Sequence, residues 1–198
     1  MKKIFVVALL LFVSIGIEAQ SKKPMKFQAE IANRGGDYIT FTNNKNKLIK
    51  KIQVNKDGVF KDTMNIATGR YAMSDGNEYT IVYLKNGFDL KLKMDAKKFD
   101  ESIVYTGKGA NENNFLAKNA LLEQQANLGN LIKAPEAEFI QGLDKKKADD
   151  LKRLGENKLD SEFVSIQKKS IEDGYNSILK YYKKNYEANL AKSKMNNS

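Results

Sequence analysis

The chain has 198 residues, with 34 lysines and arginines against 24 aspartates and glutamates, which gives a formal net charge of +10. It contains no cysteine and no histidine, which excludes disulfides, thiolate metal sites and cysteine nucleophiles, and removes the commonest general base. The length suffices for one ordinary domain, or two small ones, with a core that needs no cross-links. We therefore expect a protein that is not an enzyme and uses no cofactor and no metal.

The first nineteen residues have the pattern of an export signal. Lys2 and Lys3 precede an apolar stretch over residues 4–17, and Ala19 is the expected residue before the cleavage site. The apolar stretch is too short for a spanning helix, although an uncleaved anchor is the alternative interpretation. The pattern predicts a mature protein in the periplasm or outside the cell, with no stable membrane insertion after cleavage.

Alternation of polar and apolar residues predicts an antiparallel β domain over residues 20–107. Turn dipeptides such as Asp57-Gly58 and Asn86-Gly87 separate short strands. The strand at residues 79–84 is apolar on both faces, which predicts a central position in its sheet. We expect eight strands, forming a sandwich or a strongly curved sheet, at residues 26–31, 38–42, 48–54, 59–64, 69–74, 79–84, 89–95 and 103–105.

Residues 108–198 are richer in Ala, Leu, Glu, Lys and Gln, so we predict a helical region packed on the β domain or extending from it. About three helices are expected: at residues 113–129, from Pro135 towards Gly155, and from Asp160 or Ser161 onward for about 30 residues. The predicted fold class is therefore α+β, with an antiparallel β-sandwich or curved sheet followed by helices.

The junction between the two regions is the most specific stretch of the sequence. Residues 105–116 read Tyr-Thr-Gly-Lys-Gly-Ala-Asn-Glu-Asn-Asn-Phe-Leu, a strand end, a Gly-x-Gly reversal and an Asn-rich run able to cap the next helix. The reversal lacks the spacing and the following Ser or Thr of a phosphate loop, so we interpret it as a turn.

Four other motifs accompany this junction: Asp57-Gly58-x-Phe60, Gly69-x-Tyr71, Tyr83-Leu84-x-x-Gly87-x-Asp89-Leu90 and Phe99-Asp100. Together with the junction, these motifs resemble the N-terminal, non-catalytic domain of exported thioredoxin-like thiol-disulfide oxidoreductases of the TlpA and ResA type. The resemblance extends over nearly all of the chain after residue 19.

Such proteins continue into a thioredoxin fold with a Trp-Cys-x-x-Cys centre, whereas this chain contains neither Trp nor Cys. No catalytic residue can be carried over, so we expect no disulfide reductase activity from this polypeptide. The resemblance implies a cell-envelope module that contacts protein, through self-association or docking to a thioredoxin-like partner. A natural stand-alone form and a part of a longer oxidoreductase stay open as alternatives.

The final helix carries the candidate protein interface. Its aromatic and apolar seam combines large rings with polar tips, as interface residues often do. The alternative is packing against the chain's own sheet and the helix at residues 113–129. The candidate interface residues are Tyr175, Ile178, Tyr182 and Tyr186.

Lysines on the β domain provide the alternative function, a binding protein for an anionic ligand or surface polymer. The candidate anion-binding residues are Lys91, Lys93, Lys97 and Lys98, which could form one stripe with Lys45, Lys47, Lys50, Lys51 and Lys56. Outward lysines also protect sheet edges from aggregation. Nearby aromatic residues fall at core-like positions, and with an export signal in addition we expect no nucleic-acid partner.

Overall fold

The computed structural model describes residues 23–126 and 128–196, with side chains described as far as residue 186. The predicted export signal over residues 1–19 lies outside the described residues. Within the described ranges, no helix is both long enough and apolar enough to cross a membrane.

The described residues form eight strands and five α-helices. The strands are β1 (Met25–Ala32), β2 (Tyr38–Thr42), β3 (Leu48–Gln53), β4 (Val59–Met64), β5 (Gly69–Ser74), β6 (Tyr79–Leu84), β7 (Asp89–Asp95) and β8 (Val104–Lys108). The helices are α1 (Phe99–Ser102), α2 (Ala110–Gln125), α3 (Leu128–Leu131), α4 (Glu136–Gly155) and α5 (Ser161–Asn196), with a 3₁₀ turn (Ala96–Lys98) before α1. The predicted α+β class, with strands followed by helices, is confirmed.

The strands form two four-stranded sheets, with the order β4-β1-β7-β8 in the first sheet and β3-β2-β5-β6 in the second. Every neighbouring pair is antiparallel except β1 and β7, which run parallel from Lys26 opposite Asp89 to Ala32 opposite Asp95. The expectation of a purely antiparallel β domain is wrong at this pair. β1 therefore lies between β4 and β7 in the first sheet. In the chain, β2 to β6 separate β1 from β7, so β7 pairs with a strand that is distant in sequence.

The core lies between the two sheets because each strand presents alternate residues to the opposite sheet. Phe27 of β1 meets Phe41 of β2 edge to face, with ring centroids 5.2 Å apart. Leu90 and Leu92 of β7 are buried in the same core. Burying each side chain of this size contributes about 1.5–3 kcal/mol relative to leaving it exposed, so this layer is the main source of stability.

β6 lies at the edge of the second sheet, so the predicted central position is wrong. Its second apolar face is explained by the helices, which cover the outer face of this sheet. Tyr83 is fully buried on that face, and its ring meets Phe163 of α5 at a centroid distance of 5.0 Å. The sequence of a strand can therefore be apolar on both faces even though the strand lies at the edge of its sheet.

Two asparagines of α2 occupy the hydrogen-bonding edges of β6 and β8, one in each sheet. Asn113 Oδ1 accepts from Tyr83 N at 2.8 Å, and Asn113 Nδ2 donates to Tyr83 O at 2.9 Å. Asn114 makes the same two bonds to Tyr105, at 2.8 and 2.9 Å. The Asn-rich run therefore lies inside α2 and does not cap it; Gly109, with φ of 100°, precedes the helix.

The long helices form a further layer on the second sheet. Asp160 caps α5 by accepting from the backbone nitrogens of Glu162 and Phe163 at 3.0 and 3.2 Å, as predicted. Its carboxylate also binds Lys85 at 2.8 Å, which ties the start of α5 to the end of β6. With 36 residues, α5 is about 54 Å long and extends along α4.

Candidate functional site

The predicted interface residues of α5 lie mostly in contacts within the chain. Tyr182 is 4% exposed and stacks on Phe139 of α4, with ring centroids 3.7 Å apart and planes 7° apart. Tyr175 donates its hydroxyl hydrogen bond to Asp144 of α4 at 2.8 Å, and Ile178 packs on the same cluster. Tyr182 therefore belongs to a small second core with Phe139 and Leu143 of α4, and Tyr175 and Ile178 are partly buried against this core.

The fourth predicted interface residue is accessible. Tyr186 stacks on Tyr182 at a centroid distance of 5.9 Å and is 41% exposed, while the nearby Tyr181 is 56% exposed. The accessible aromatic side chains in the described part of α5 are therefore Tyr181 and Tyr186, which are five residues apart and point to different sides of the helix.

All four predicted anion-binding lysines are exposed, but they occupy two kinds of position. Lys91 and Lys93 point outward from β7, where they alternate with buried apolar residues. Lys97 and Lys98 lie in the 3₁₀ turn that follows β7. Lys93 pairs with Glu30 of β1 at 3.1 Å.

Strand pairing brings three further lysines to the outer face of the first sheet. Lys61, Gln28, Lys91 and Thr106 are successive neighbours across the four strands, and Thr63, Lys26, Asp89 and Lys108 form the adjacent row. We call the outward Lys26, Lys61, Lys91, Lys93 and Lys108 the lysine face. Among the residues that the structure describes, only Lys93 of this set is in an ion pair.

Sequence reasoning missed Lys26, Lys61 and Lys108 because their proximity to Lys91 depends on strand order. The alternation within β1 and β4 does mark Lys26 and Lys61 as outward. The sequence therefore indicated which way these lysines point, but not which residues of other strands lie beside them. The cluster from Lys45 to Lys56 lies around β3 in the other sheet, so the single stripe is wrong. There, Lys50 binds Asp62 at 2.8 Å and Lys51 lies 3.6 Å from the centroid of the Tyr38 ring.

A cavity of about 550 Å³ lies between the outer face of the second sheet and α2, α4 and α5, and we call it the cleft. Arg70 of β5 lines it from the sheet and donates a hydrogen bond to Ser170 of α5. Burial lowers the pKa of Arg70. No sequence pattern indicated this site, because only the folded arrangement places Arg70 opposite α5.

Charged side chains of the helices also line the cleft. Lys146 of α4 binds Asp150 at 2.9 Å and also contacts Glu123 of α2. Burial opposes ionisation of Lys146, but its hydrogen bonds to these carboxylates outweigh burial and raise its pKa. Lys147 binds Glu172 at 2.6 Å and lies 4.5 Å from the centroid of the Tyr175 ring.

Within the described ranges, no group of three or more acidic, histidine or cysteine side chains converges on a point where a metal ion could sit. The features that could bind a partner are a positively charged sheet face, a lined cleft and an exposed aromatic pair. The chain matches no protein-family model, no curated protein and no solved structure, so its function has to be inferred from its own residues.

Proposed function

We propose that this protein is a non-catalytic binding module of the cell envelope that holds an anionic polymer on the lysine face. The observation that carries the proposal is the accumulation of five outward lysines on one sheet face that has three acidic residues, Glu30, Asp89 and Asp95. Four of these lysines have no ion-pair partner among the described residues, so their charges are free to meet a ligand.

The spacing of the lysine face favours a polymer over a small ion. Neighbouring strands lie about 4.8 Å apart and alternate residues along a strand about 7 Å apart, so the charges are spread over a flat surface. An extended chain of anionic groups can meet several lysines at once, whereas one small anion would contact only one or two. Each contact is exposed and individually weak, so affinity has to come from their number.

The test is binding of the purified chain without residues 1–19 to two probes, heparin and polygalacturonate, over a series of salt concentrations. A variant with Lys26, Lys61, Lys91 and Lys108 changed to Gln is compared with a control in which Lys45, Lys47, Lys56 and Lys133 are changed to Gln. The control lysines carry the same total charge, but lie off the lysine face. Because counterion release drives such binding, we expect affinity to fall steeply with salt.

We expect the lysine-face variant to bind at least about tenfold more weakly than the control, with a shallower dependence on salt. Equal weakening in both variants would mean that net charge alone attracts the polymer, and would refute the proposal. Binding that does not change with salt would refute it as well.

A second candidate function, self-association, is favoured by the exposed pair Tyr181 and Tyr186. Each exposed ring offers a contact for the same helix of a second copy, although the two rings point to different sides of α5. The test is the molar mass by light scattering over a concentration series, measured for a double variant that carries Tyr181→Ser and Tyr186→Ser. The control is Leu48→Ser, which removes an apolar residue of β3 that is 54% exposed. A dimer that is lost only in the tyrosine variant supports this candidate, and a monomer at every concentration removes it.

A further inference from the structure

The cleft has the dimensions and the lining of a small-molecule site. Its volume of about 550 Å³ falls within the range of about 300–1,000 Å³ found for ligand pockets. Apolar side chains from each helix contribute to its walls, among them Leu116 of α2, Leu143 of α4 and Ile171 of α5. A molecule in the cleft would therefore contact three helices and the sheet at once.

Arg70 is a cation of the cleft that is in no ion pair among the described residues, although Glu78 and Asp100 also line the cleft. Lys146 and Lys147 each have acidic partners at the helix side, whereas the contact of Arg70 is the neutral hydroxyl of Ser170. Arg70 is nevertheless half-buried. A guanidinium offers five donors in a planar fork that matches a carboxylate, so most of its capacity is left for a ligand.

A second polar group of the cleft also lacks a partner. The Oε1 atom of Gln167 is buried and accepts no hydrogen bond in the described structure. Gln167 and Ser170 are three residues apart on α5, so they lie on the same face of the helix. A buried amide oxygen without a donor lowers stability, and an N–H or O–H group of a ligand would remove this penalty.

We propose that the cleft binds a small organic acid, whose carboxylate pairs with the Arg70 guanidinium and whose neighbouring hydroxyl or amino group donates to Gln167 Oε1. The apolar walls accommodate the body of the molecule. This site is distinct from the lysine face, which lies on the outer side of the other sheet, so either proposal can fail without the other.

Gly174 provides a way to close the cleft without disturbing its polar groups. It lines the cleft one turn after Ser170, and a methyl group added there would have no neighbouring atom within 4 Å. Gly174→Leu therefore places a branched side chain in the cleft and replaces a poor helix former with a good one. Gly155→Leu is the matched control, because Gly155 is equally uncrowded and lies at the end of α4, outside the residues that line the cleft.

The experiment is an NMR titration of the ¹⁵N-labelled chain without residues 1–19, using three probes that differ by one group. These are 3-phenyllactate, which has both a carboxylate and a hydroxyl group, 3-phenylpropanoate, which lacks the hydroxyl group, and 2-phenylethanol, which lacks the carboxylate. We expect saturable shifts around Ser170 and Gly174, with phenyllactate binding most tightly and phenylethanol most weakly. Arg70→Gln should weaken phenyllactate binding at least about tenfold, because a charge-assisted pair is lost.

Gly174→Leu should abolish these shifts, while Gly155→Leu should leave them unchanged. Because Gly174→Leu leaves Arg70 in place, this comparison stands even if Arg70→Gln does not fold. Three outcomes overturn the proposal: no saturable shift with either acid up to about 10 mM, equal binding of the alcohol and the acids, or shifts that persist in Gly174→Leu. Shifts confined to the lysine face would likewise overturn it.

Discussion

Replacing Asn113 with Ala is the substitution for which the structure gives the clearest magnitude. The Asn113 side chain is fully buried and satisfies two backbone groups of Tyr83, the N–H at 2.8 Å and the carbonyl at 2.9 Å. Because β6 has no strand on this side, no strand can replace these bonds. Its third bond, to Gly109 O, is less critical because the Asn113 backbone nitrogen also reaches that oxygen, at 3.4 Å.

Two buried backbone groups without partners cost about 1–3 kcal/mol each, so we expect Asn113→Ala to lower the free energy of unfolding by about 2–6 kcal/mol. Asn114→Ala is the matched control, since Asn114 makes the same two bonds to Tyr105 but is itself exposed. Water can replace the lost amide there, and we expect a loss of about 1 kcal/mol. Asn113→Asp keeps the size of the side chain and removes the donor, which separates hydrogen bonding from packing.

Urea denaturation followed by circular dichroism gives the free energy of unfolding of each variant, provided that the slopes agree. A loss below about 1 kcal/mol for Asn113→Ala would refute this account of the edge. Equal losses for Asn113→Ala and Asn114→Ala would also refute it, because burial would then not decide the effect. An Asn113→Asp variant as stable as the original would mean that the donor is not needed.

Three further predictions concern other contacts. Gly109→Ala should cost at least about 2 kcal/mol in denaturation, because a β-carbon there would lie only 2.2 Å from an atom of the Phe88 ring and the backbone has φ of 100°; no loss would contradict this. Burial raises the pKa of Asp160, but its hydrogen bond to Lys85 and those from the backbone outweigh burial and lower it, so stability present above about pH 4 should be lost as pH falls further. Asp160→Asn should flatten this acid limb of a pH series of melting temperatures, and an unchanged limb would contradict the assignment. Tyr182→Phe should cost about 1 kcal/mol in denaturation, because its hydroxyl donates to a backbone carbonyl at 2.9 Å; a neutral change would show that water replaces the bond.

Local patterns predicted local structure well. The alternation in residues 89–95 correctly predicted that Lys91 and Lys93 point outward, because a strand with one buried face has a period of two. The turns at Gly58 and Gly87 have φ of 78° and 85°, the left-handed conformation that glycine favours in such turns. Such features depend on a few adjacent residues, so the sequence contains all the information needed.

Features that depend on distant neighbours were not predictable in this way. Helices cover the outer face of β6, so both of its faces are apolar although it lies at the edge of its sheet. The sequence pattern of β6 therefore could not reveal its edge position. Tyr182 could pack on any apolar surface, and its stacking on Phe139 follows from how α4 and α5 meet. The cleft was missed for the same reason, since Arg70 and Gln167 are nearly a hundred residues apart in the chain.

The paired amides of Asn113 and Asn114 also have a consequence for separating the two regions of the chain. A β region that ended at residue 107 would expose the free edges of β6 and β8 to solvent together, one in each sheet. Open strand edges recruit strands from other molecules, which leads to aggregation. The first two turns of α2 therefore protect these edges from edge-to-edge polymerisation. We expect that the shortest fragment of this protein that resists aggregation includes them.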